Sequence, residues 1–205
     1  MPTDFDERAR TWDDDPTRVQ RAHAAAEAIA AAVPLESSTR LLEYGAGTGL
    51  ASQALASHVG SITVAEPSEG MRAMMADKVA VGTLPVETRI WDLDLTVHAV
   101  PEEPFDVIVT LMTLHHIHDV AVVLDGFAEL LVHGGHLCVV DLEAEDGSFH
   151  DDDPDFDGHH GLGRASLTEK LHAAGFRDVR FERCFEIEKD GRSYPLFLMT
   201  CTAGR

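Results

Sequence analysis

Glu43, Gly45, Gly47 and Gly49 fall at every second position of Leu41-Leu42-Glu43-Tyr44-Gly45-Ala46-Gly47-Thr48-Gly49, the stretch of the chain best suited to binding chemistry. Glycines let a backbone approach a ligand where a Cβ would collide. When they join a strand to a helix, they gather backbone N–H groups and a helix N-terminus at one crevice. Such a crevice suits a nucleotide-like ligand. A phosphate-cradling P-loop would end in Gly-Lys-Ser/Thr, and no lysine lies near. A dinucleotide fingerprint wants glycine or alanine five residues after its first glycine, but the two registers give Leu50 and Ser52, so both fail.

A second group of reactive side chains lies further on. Leu114-His115-His116 follows one β-branched run and Asp141 ends another. A histidine near its ordinary pKa of about 6.5 can take a proton from an acceptor, and a carboxylate can do so or orient a substrate. His115, His116 and Asp141 are therefore the catalytic candidates, with no choice made among them. The bland alternative is that the histidines cap or pack a helix and Asp141 opens a loop. The acidic run from Glu143 to Leu162 carries Phe149, His150, Phe156, His159 and His160. Asp and His are hard and borderline metal ligands, but their spacing here fits neither an EF-hand nor a zinc helix pair. No metal is assigned, and the run reads as a solvated acidic loop.

The elements that must position these residues alternate between short apolar runs and helical patterns, the mark of a parallel sheet covered on both faces. An alanine-rich helix is expected over Thr17 to Val33. Strands follow at Arg40–Tyr44, Ser61–Glu66, Val86–Trp91, Phe105–Leu111 and His136–Leu142. Helices are expected from Leu50 to His58, after an N-cap at Ser68, and from an Asp119 cap through Leu131, the last broken by Gly134-Gly135. Ser166 and Glu169 are spaced as a capping box for a helix ending at Gly175. Val179–Ile187, a turn at Lys189–Arg192 and Tyr194–Thr202 complete the chain as an antiparallel hairpin. The expected fold is α/β: a Rossmann-like, seven-stranded, mostly parallel sheet with a C-terminal antiparallel β-hairpin.

With these elements in place, the chain resembles the class I S-adenosylmethionine-dependent methyltransferases over nearly its whole length and in the family's order. Glu43-x-Gly45-x-Gly47-x-Gly49 is similar to the family's first motif, which implies that Glu43, Gly45, Ala46, Gly47 and Gly49 hold the methionine end of S-adenosyl-L-methionine. The resemblance further implies that Glu66 grips the ribose diol, where a carboxylate can accept two hydrogen bonds. It places Pro67 and Met71 beside adenine, Asp92 and Leu93 at the adenine amino group, and Thr110 in the same cofactor set. The Leu114-His115-His116 run resembles the small-molecule branch, with methyltransferase domains of types 11 and 12. His159-His160-Gly161-Leu162 resembles a segment that precedes the next helix in many members. Trp12-Asp13-Asp14-Asp15-Pro16 resembles a lid, which puts Trp12 and Arg18 with Phe149, His150, His159 and His160 as the acceptor-binding set. Leu162 departs from the family's usual phenylalanine, and the loop is richer in aspartate than usual. Both departures bear on the acceptor pocket alone.

On this reading residues 1–205 form one methyltransferase domain. Its parts are an N-terminal lid and helix (1–34), a cofactor-binding core (40–142), an acidic substrate-side loop (143–165), and a helix plus hairpin (166–205). The length suits a single core. The net charge of −20 repels phosphate backbones and anionic lipid. The Asn/Asp-Pro-Pro-Tyr/Phe sequence of base-amine methyltransferases is also absent after the fourth strand, so neither nucleic acid nor membrane is an expected partner. Met1-Pro2-Thr3-Asp4 opens an acidic N-terminus without signal-peptide order, and Cys138, Cys184 and Cys201 read as isolated thiols, so a cytoplasmic location is expected. The expected activity is in-line methyl transfer from S-adenosyl-L-methionine to a small organic acceptor. The alternatives are a protein methyltransferase or a catalytically silent scaffold that binds the cofactor.

Overall fold

The computed structural model describes residues 4–204. Met1, Pro2 and Thr3 of the acidic N-terminus lie outside them. After α1 (Asp4–Arg8) and a 3-10 turn (Ala9–Asp14) come α2 (Pro16–Ala32), β1 (Arg40–Tyr44), α3 (Leu50–Leu55), β2 (Ser61–Ala65) and α4 (Glu69–Ala80). Then follow β3 (Arg89–Trp91), β4 (Phe105–Leu111), α5 (Val120–Leu130), β5 (Leu131–Leu142), α6 (Arg164–Ala173), β6 (Phe176–Lys189) and β7 (Arg192–Ala203). The strands form one sheet in the order β3-β2-β1-β4-β5-β7-β6. Neighbours from β3 to β5 are parallel, while β7 runs antiparallel to both β5 and β6. The expected seven-stranded, mostly parallel sheet with its terminal hairpin is thus the observed one.

Alternation along the central strands divides the core into two layers. Leu42, Tyr44, Phe105 and Ile108 face α5 and α6, packing with Val123, Leu124, Phe127, Leu167 and Leu171. Leu41, Val107 and Val109 face the opposite way, against Ala25 and Ile29 of α2, Leu55 of α3 and Met75 of α4. Each such buried side chain contributes roughly 1.5–3 kcal/mol relative to exposure. Asp15 caps α2 by accepting the Thr17 N–H at 2.8 Å, with Pro16 as first helical residue.

Several boundaries differ from the sequence expectation. The helix after Asp119 stops at Leu130, and the chain is already extended at Leu131. Gly134 and Gly135 lie within β5 as a bulge, since Phe105 pairs with Leu131 but Val107 pairs with His136. The expected capping box is not used: α6 starts at Arg164 after Gly163, so Ser166 already sits in the first turn. The chain is pinned just upstream, where the Leu162 N–H donates to the Leu142 carbonyl at 2.8 Å, so the helix can begin at once. β3 is shortened to Arg89–Trp91 by a turn in which the Thr88 N–H reaches the Pro85 carbonyl. α3 ends at Leu55, and residues 56–58 form a turn. Both hairpin strands are longer than expected. α1 and the following 3-10 turn carry no apolar period in the sequence and were not expected. The three cysteines are free thiols, and among the described residues no helix is long and apolar enough to cross a membrane.

Candidate active site

The glycine turn leaves β1 in a conformation that side chains resist: Gly45, Gly47 and Gly49 have φ of 66°, 56° and 77°. The Gly45 and Ala46 N–H groups both donate to the Ala65 carbonyl at the end of β2, which fixes the turn to the sheet. Glu66 continues from β2. Its carboxylate accepts the Gly47 N–H at 2.8 Å and the Ser68 N–H at 2.9 Å, one on each oxygen. A carboxylate has about four acceptor sites, so two remain for a diol. Burial raises the Glu66 pKa above its ordinary value despite these bonds.

Glu43 behaves differently. It is turned beneath the turn, where its carboxylate accepts the Ser52 N–H of α3 at 2.8 Å. Burial pushes its pKa up to about 7, against the pull of Ser52 and Lys78. A carboxyl whose folded pKa is raised contributes its full stability below the unfolded value and loses it as pH rises through the folded one. Glu43→Gln is therefore expected to gain on the natural protein between pH 5 and pH 8, by at most about 3 kcal/mol from 1.36 kcal/mol per unit. Denaturant midpoints at the two pH values check this, and a constant difference would contradict it.

Asp92 stands at the exit of β3, 3.1 Å from Arg72, whose guanidinium also binds the Glu66 and Pro67 carbonyls. Met71 is buried in the first turn of α4, and Leu93 packs into the core layer with Leu95. Thr110 is fully buried in β4, its hydroxyl without a partner among the described residues.

The N-terminal segment crosses this region. The Asp6 carboxylate accepts the Ser68 hydroxyl at 2.6 Å and the Gly70 N–H at 2.8 Å. Asp13 accepts the Thr48 hydroxyl at 2.5 Å and pairs with Lys78 at 2.6 Å, and Lys78 also donates to the Thr48 carbonyl. Trp12 lies between these anchors, with the Arg18 guanidinium 3.9 Å over its ring. Its Nε1 would be 3.8 Å from a Cβ at Gly47. Phe5 meets His116 edge-on, with ring centroids 5.5 Å apart.

The reactive cluster begins at Thr113, whose hydroxyl donates to the Gly45 carbonyl at 3.1 Å and so ties the β4 exit to the glycine turn. Leu114–His116 form a 3-10 turn. His115 is 1% exposed, and its Nδ1 lies 2.5 Å from the fully buried Asp141 carboxylate. That carboxylate also accepts the Leu142 N–H at 2.8 Å and the His115 N–H at 3.3 Å. Burial alone would raise the Asp141 pKa, but the His115 ring and these hydrogen bonds outweigh it and hold it below the ordinary value. Burial, then the neighbouring His115 and His150, pushes His116 down to about 3, and burial with His115 and Lys189 pushes His150 down to about 4. The Phe156 ring stacks on His150 with centroids 3.6 Å apart, and Phe149 meets His150 edge-on at 4.9 Å.

His115, His116, Asp141, Phe149 and His150 are thus brought together. His159 is not part of the cluster: its N–H donates to the His115 carbonyl at 2.6 Å and its ring reaches the Ile117 carbonyl, making it a strut for the loop. His160 is exposed and near Glu145. The sequence reading missed Asp6, Asp13 and Lys78, which latch the N-terminal segment. It also missed Arg21 of α2, whose Nε is buried without a partner among the described residues and whose pKa burial lowers to about 10. One alanine-rich helix gives no signal for which of its arginines turns inward.

Such a sheet order, with a glycine turn after β1 and an acid closing β2, defines the class I methyltransferase fold. The chain belongs to the methyltransferase domain family, whose sequence model matches residues 17–180, and is a class I S-adenosylmethionine-dependent methyltransferase. Its cofactor is S-adenosyl-L-methionine. Among solved structures, it is similar to a chain from the complex of the Haloferax volcanii Trm112 methyltransferase activator with a methyltransferase. There the identity is 16%, coverage 100% of both chains and the TM-score 0.79. It is similar also to the N-methyltransferase NodS from Bradyrhizobium japonicum with S-adenosylhomocysteine, at 18% identity, 96% and 91% coverage and a TM-score of 0.72. A third is a Bacillus halodurans methyltransferase at 15% identity, 88% and 99% coverage and a TM-score of 0.70. Comparison with curated proteins gives no match.

Proposed function

We propose that this enzyme methylates a small organic acceptor held between the glycine turn and the cluster of His115, His116, His150 and Phe156. The observation that carries this reading is the Thr113 hydrogen bond to Gly45, which couples the cofactor turn to the buried His115–Asp141 pair. The residues fit the cofactor: positive-φ glycines at 45, 47 and 49 open the backbone, and Glu66 at the next strand end keeps acceptor capacity for a diol. When bound, S-adenosyl-L-methionine supplies an electrophilic methyl group on a sulfonium, open to in-line displacement by an acceptor lone pair.

The protein's own work is then to position and activate the acceptor. Glu66 holds the ribose, the glycine-turn backbone the methionine end, and Pro67, Met71 and Asp92 the adenine side. The segment through Trp12 acts as a lid, latched by Asp13 on Lys78. His116, held down to about 3, is a poor proton acceptor. Activation falls to His115, whose Nδ1 is committed to Asp141 and whose buried Nε2 has no other partner among the described residues. Asp141 is fully enclosed and acts through His115 as a positioning residue.

Calorimetric titration with S-adenosylhomocysteine, beside NAD as a control, tests the site. Micromolar binding of the first ligand alone is expected, weakened about 100-fold or more by Glu66→Ala, the loss of two hydrogen bonds to a charged group. Equal affinity for NAD, or indifference to the substitution, would overturn the assignment. Screening acceptors for released S-adenosylhomocysteine then separates turnover from a silent scaffold.

A further inference from the structure

Three imidazoles from two distant segments meet beside Asp141. His115 and His116 ride on the turn after β4, and His150 comes from the 3-10 turn Ser148–His150 of the acidic loop. One ring nitrogen of each lies within 4.8 Å of the other two. His115 Nε2 and His150 Nδ1 are buried without a hydrogen-bond partner among the described residues. A buried polar atom left unpaired carries a desolvation cost, and in a folded protein it calls for a ligand, an ion or a water. We propose that His115, His116 and His150 bind a first-row divalent transition-metal ion such as Zn²⁺, with Asp141 as the carboxylate that orients His115.

The donor set fixes the kind of ion. Three imidazoles suit zinc, cobalt, nickel or iron(II), whereas calcium and magnesium take oxygen ligands. Zn–N bonds of about 2.0–2.1 Å put tetrahedral nitrogens roughly 3.4 Å apart, so nitrogens within 4.8 Å of one another reach the ion if each ring moves by at most about an ångström. The contact from His115 Nδ1 to Asp141 leaves Nε2 for the ion. A metal-bound histidine is commonly held this way, its other nitrogen donating to a carboxylate. Phe156 stacked on His150 and Phe5 edge-on to His116 give the site an apolar wall. Three protein ligands also leave a fourth position open, as in catalytic rather than structural zinc sites.

One step further rests on the proposed methyl transfer. With His115 Nε2 on the ion, the cation replaces His115 as the activating group and lowers the pKa of a bound hydroxyl, so the acceptor class would be an alcohol, phenol or acid that binds through oxygen.

The test titrates chelator-treated protein with zinc chloride alone in a calorimeter. One ion per chain with micromolar or tighter Kd is expected, with Asp141→Asn weakening it about 10–100-fold and His116→Ala or His150→Ala by on the order of 100-fold or more. His118→Ala, an exposed histidine outside the cluster, should leave it unchanged. Circular dichroism confirms that each variant is folded, and His150 lies on a partly exposed loop where truncation is tolerated best. No uptake by the natural protein, or affinity that survives both histidine substitutions, overturns the metal site. Parallel titration with S-adenosylhomocysteine reports on the methyltransferase reading separately, since its cofactor residues are not the proposed ligands.

Discussion

Asparagine at position 141 is expected to slow methyl transfer by up to roughly 10⁴-fold, the scale seen when a buried acid that orients a catalytic histidine is neutralised, while leaving affinity for S-adenosylhomocysteine unchanged. Asp141 accepts three hydrogen bonds, from His115 Nδ1, the His115 N–H and the Leu142 N–H. Asparagine has one oxygen and one NH₂ in their place. If the oxygen stays toward His115 Nδ1 and Leu142, the NH₂ faces the His115 N–H, donor against donor. If it flips, the NH₂ faces Leu142, and His115 must turn to the tautomer with its proton on Nε2. In that tautomer the nitrogen aimed at the acceptor side has lost its lone pair, whether that lone pair takes a proton or a metal ion. Turnover measured at saturating cofactor checks this. A loss confined to KM for the acceptor would point to a binding role for Asp141 instead.

The same variant carries a stability signature with a definite sign. Asp141 has a folded pKa below its ordinary value, so its contribution is present above the unfolded pKa of about 3.9 and disappears as pH falls through the folded one. A buried hydrogen-bonding group left mispaired costs about 1–3 kcal/mol. That deficit should be constant from pH 5 to pH 8 and shrink below pH 4. Glu43→Gln instead changes between pH 5 and pH 8, where the Asp141→Asn deficit is flat, because the Glu43 pKa is raised. The two carboxylates are therefore separable by denaturation at different pH values.

How far the fold was legible follows from the physics of each element. β1 and β4 were placed to the residue, because buried parallel strands are apolar runs with hard turn signals at their ends. Ser68 and Asp119 are local caps, and local hydrogen bonds are visible in a local window. Gly134-Gly135 misled, because glycine marks a helix end and a strand bulge equally well, and only the β4 partner decides. In the site, the glycine turn and the acids at strand ends were readable because topology alone brings them to one edge. The meeting of His116 with His150 was not, since 34 positions separate them and no periodicity links the two segments. The latch of Asp13 on Lys78 is of the same kind: one acid among several in an acidic run is chosen by tertiary packing.

Gly45→Ala is expected to destabilise the protein by about 2–5 kcal/mol, from roughly 1–2 for a left-handed non-glycine residue and 1–3 for overpacking, and to abolish measurable cofactor binding. At φ of 66° an L-residue is strained before any contact is considered. An alanine Cβ would then lie 2.9 Å from Thr113 Cβ and closer still to its methyl group. Thr113 cannot swing aside without cost, because its hydroxyl is held by the Gly45 and Leu111 carbonyls at 3.1 and 3.2 Å. The turn must move instead, and with it the Gly47 N–H that Glu66 accepts. Thr113→Ala in the same chain removes the crowding methyl but not the φ strain. The double variant should therefore recover part of the stability and little of the binding, read by thermal melting beside calorimetry. Full recovery of binding would mean that crowding alone blocks the site. A single variant that binds S-adenosylhomocysteine normally would mean that the turn is not where the cofactor lies.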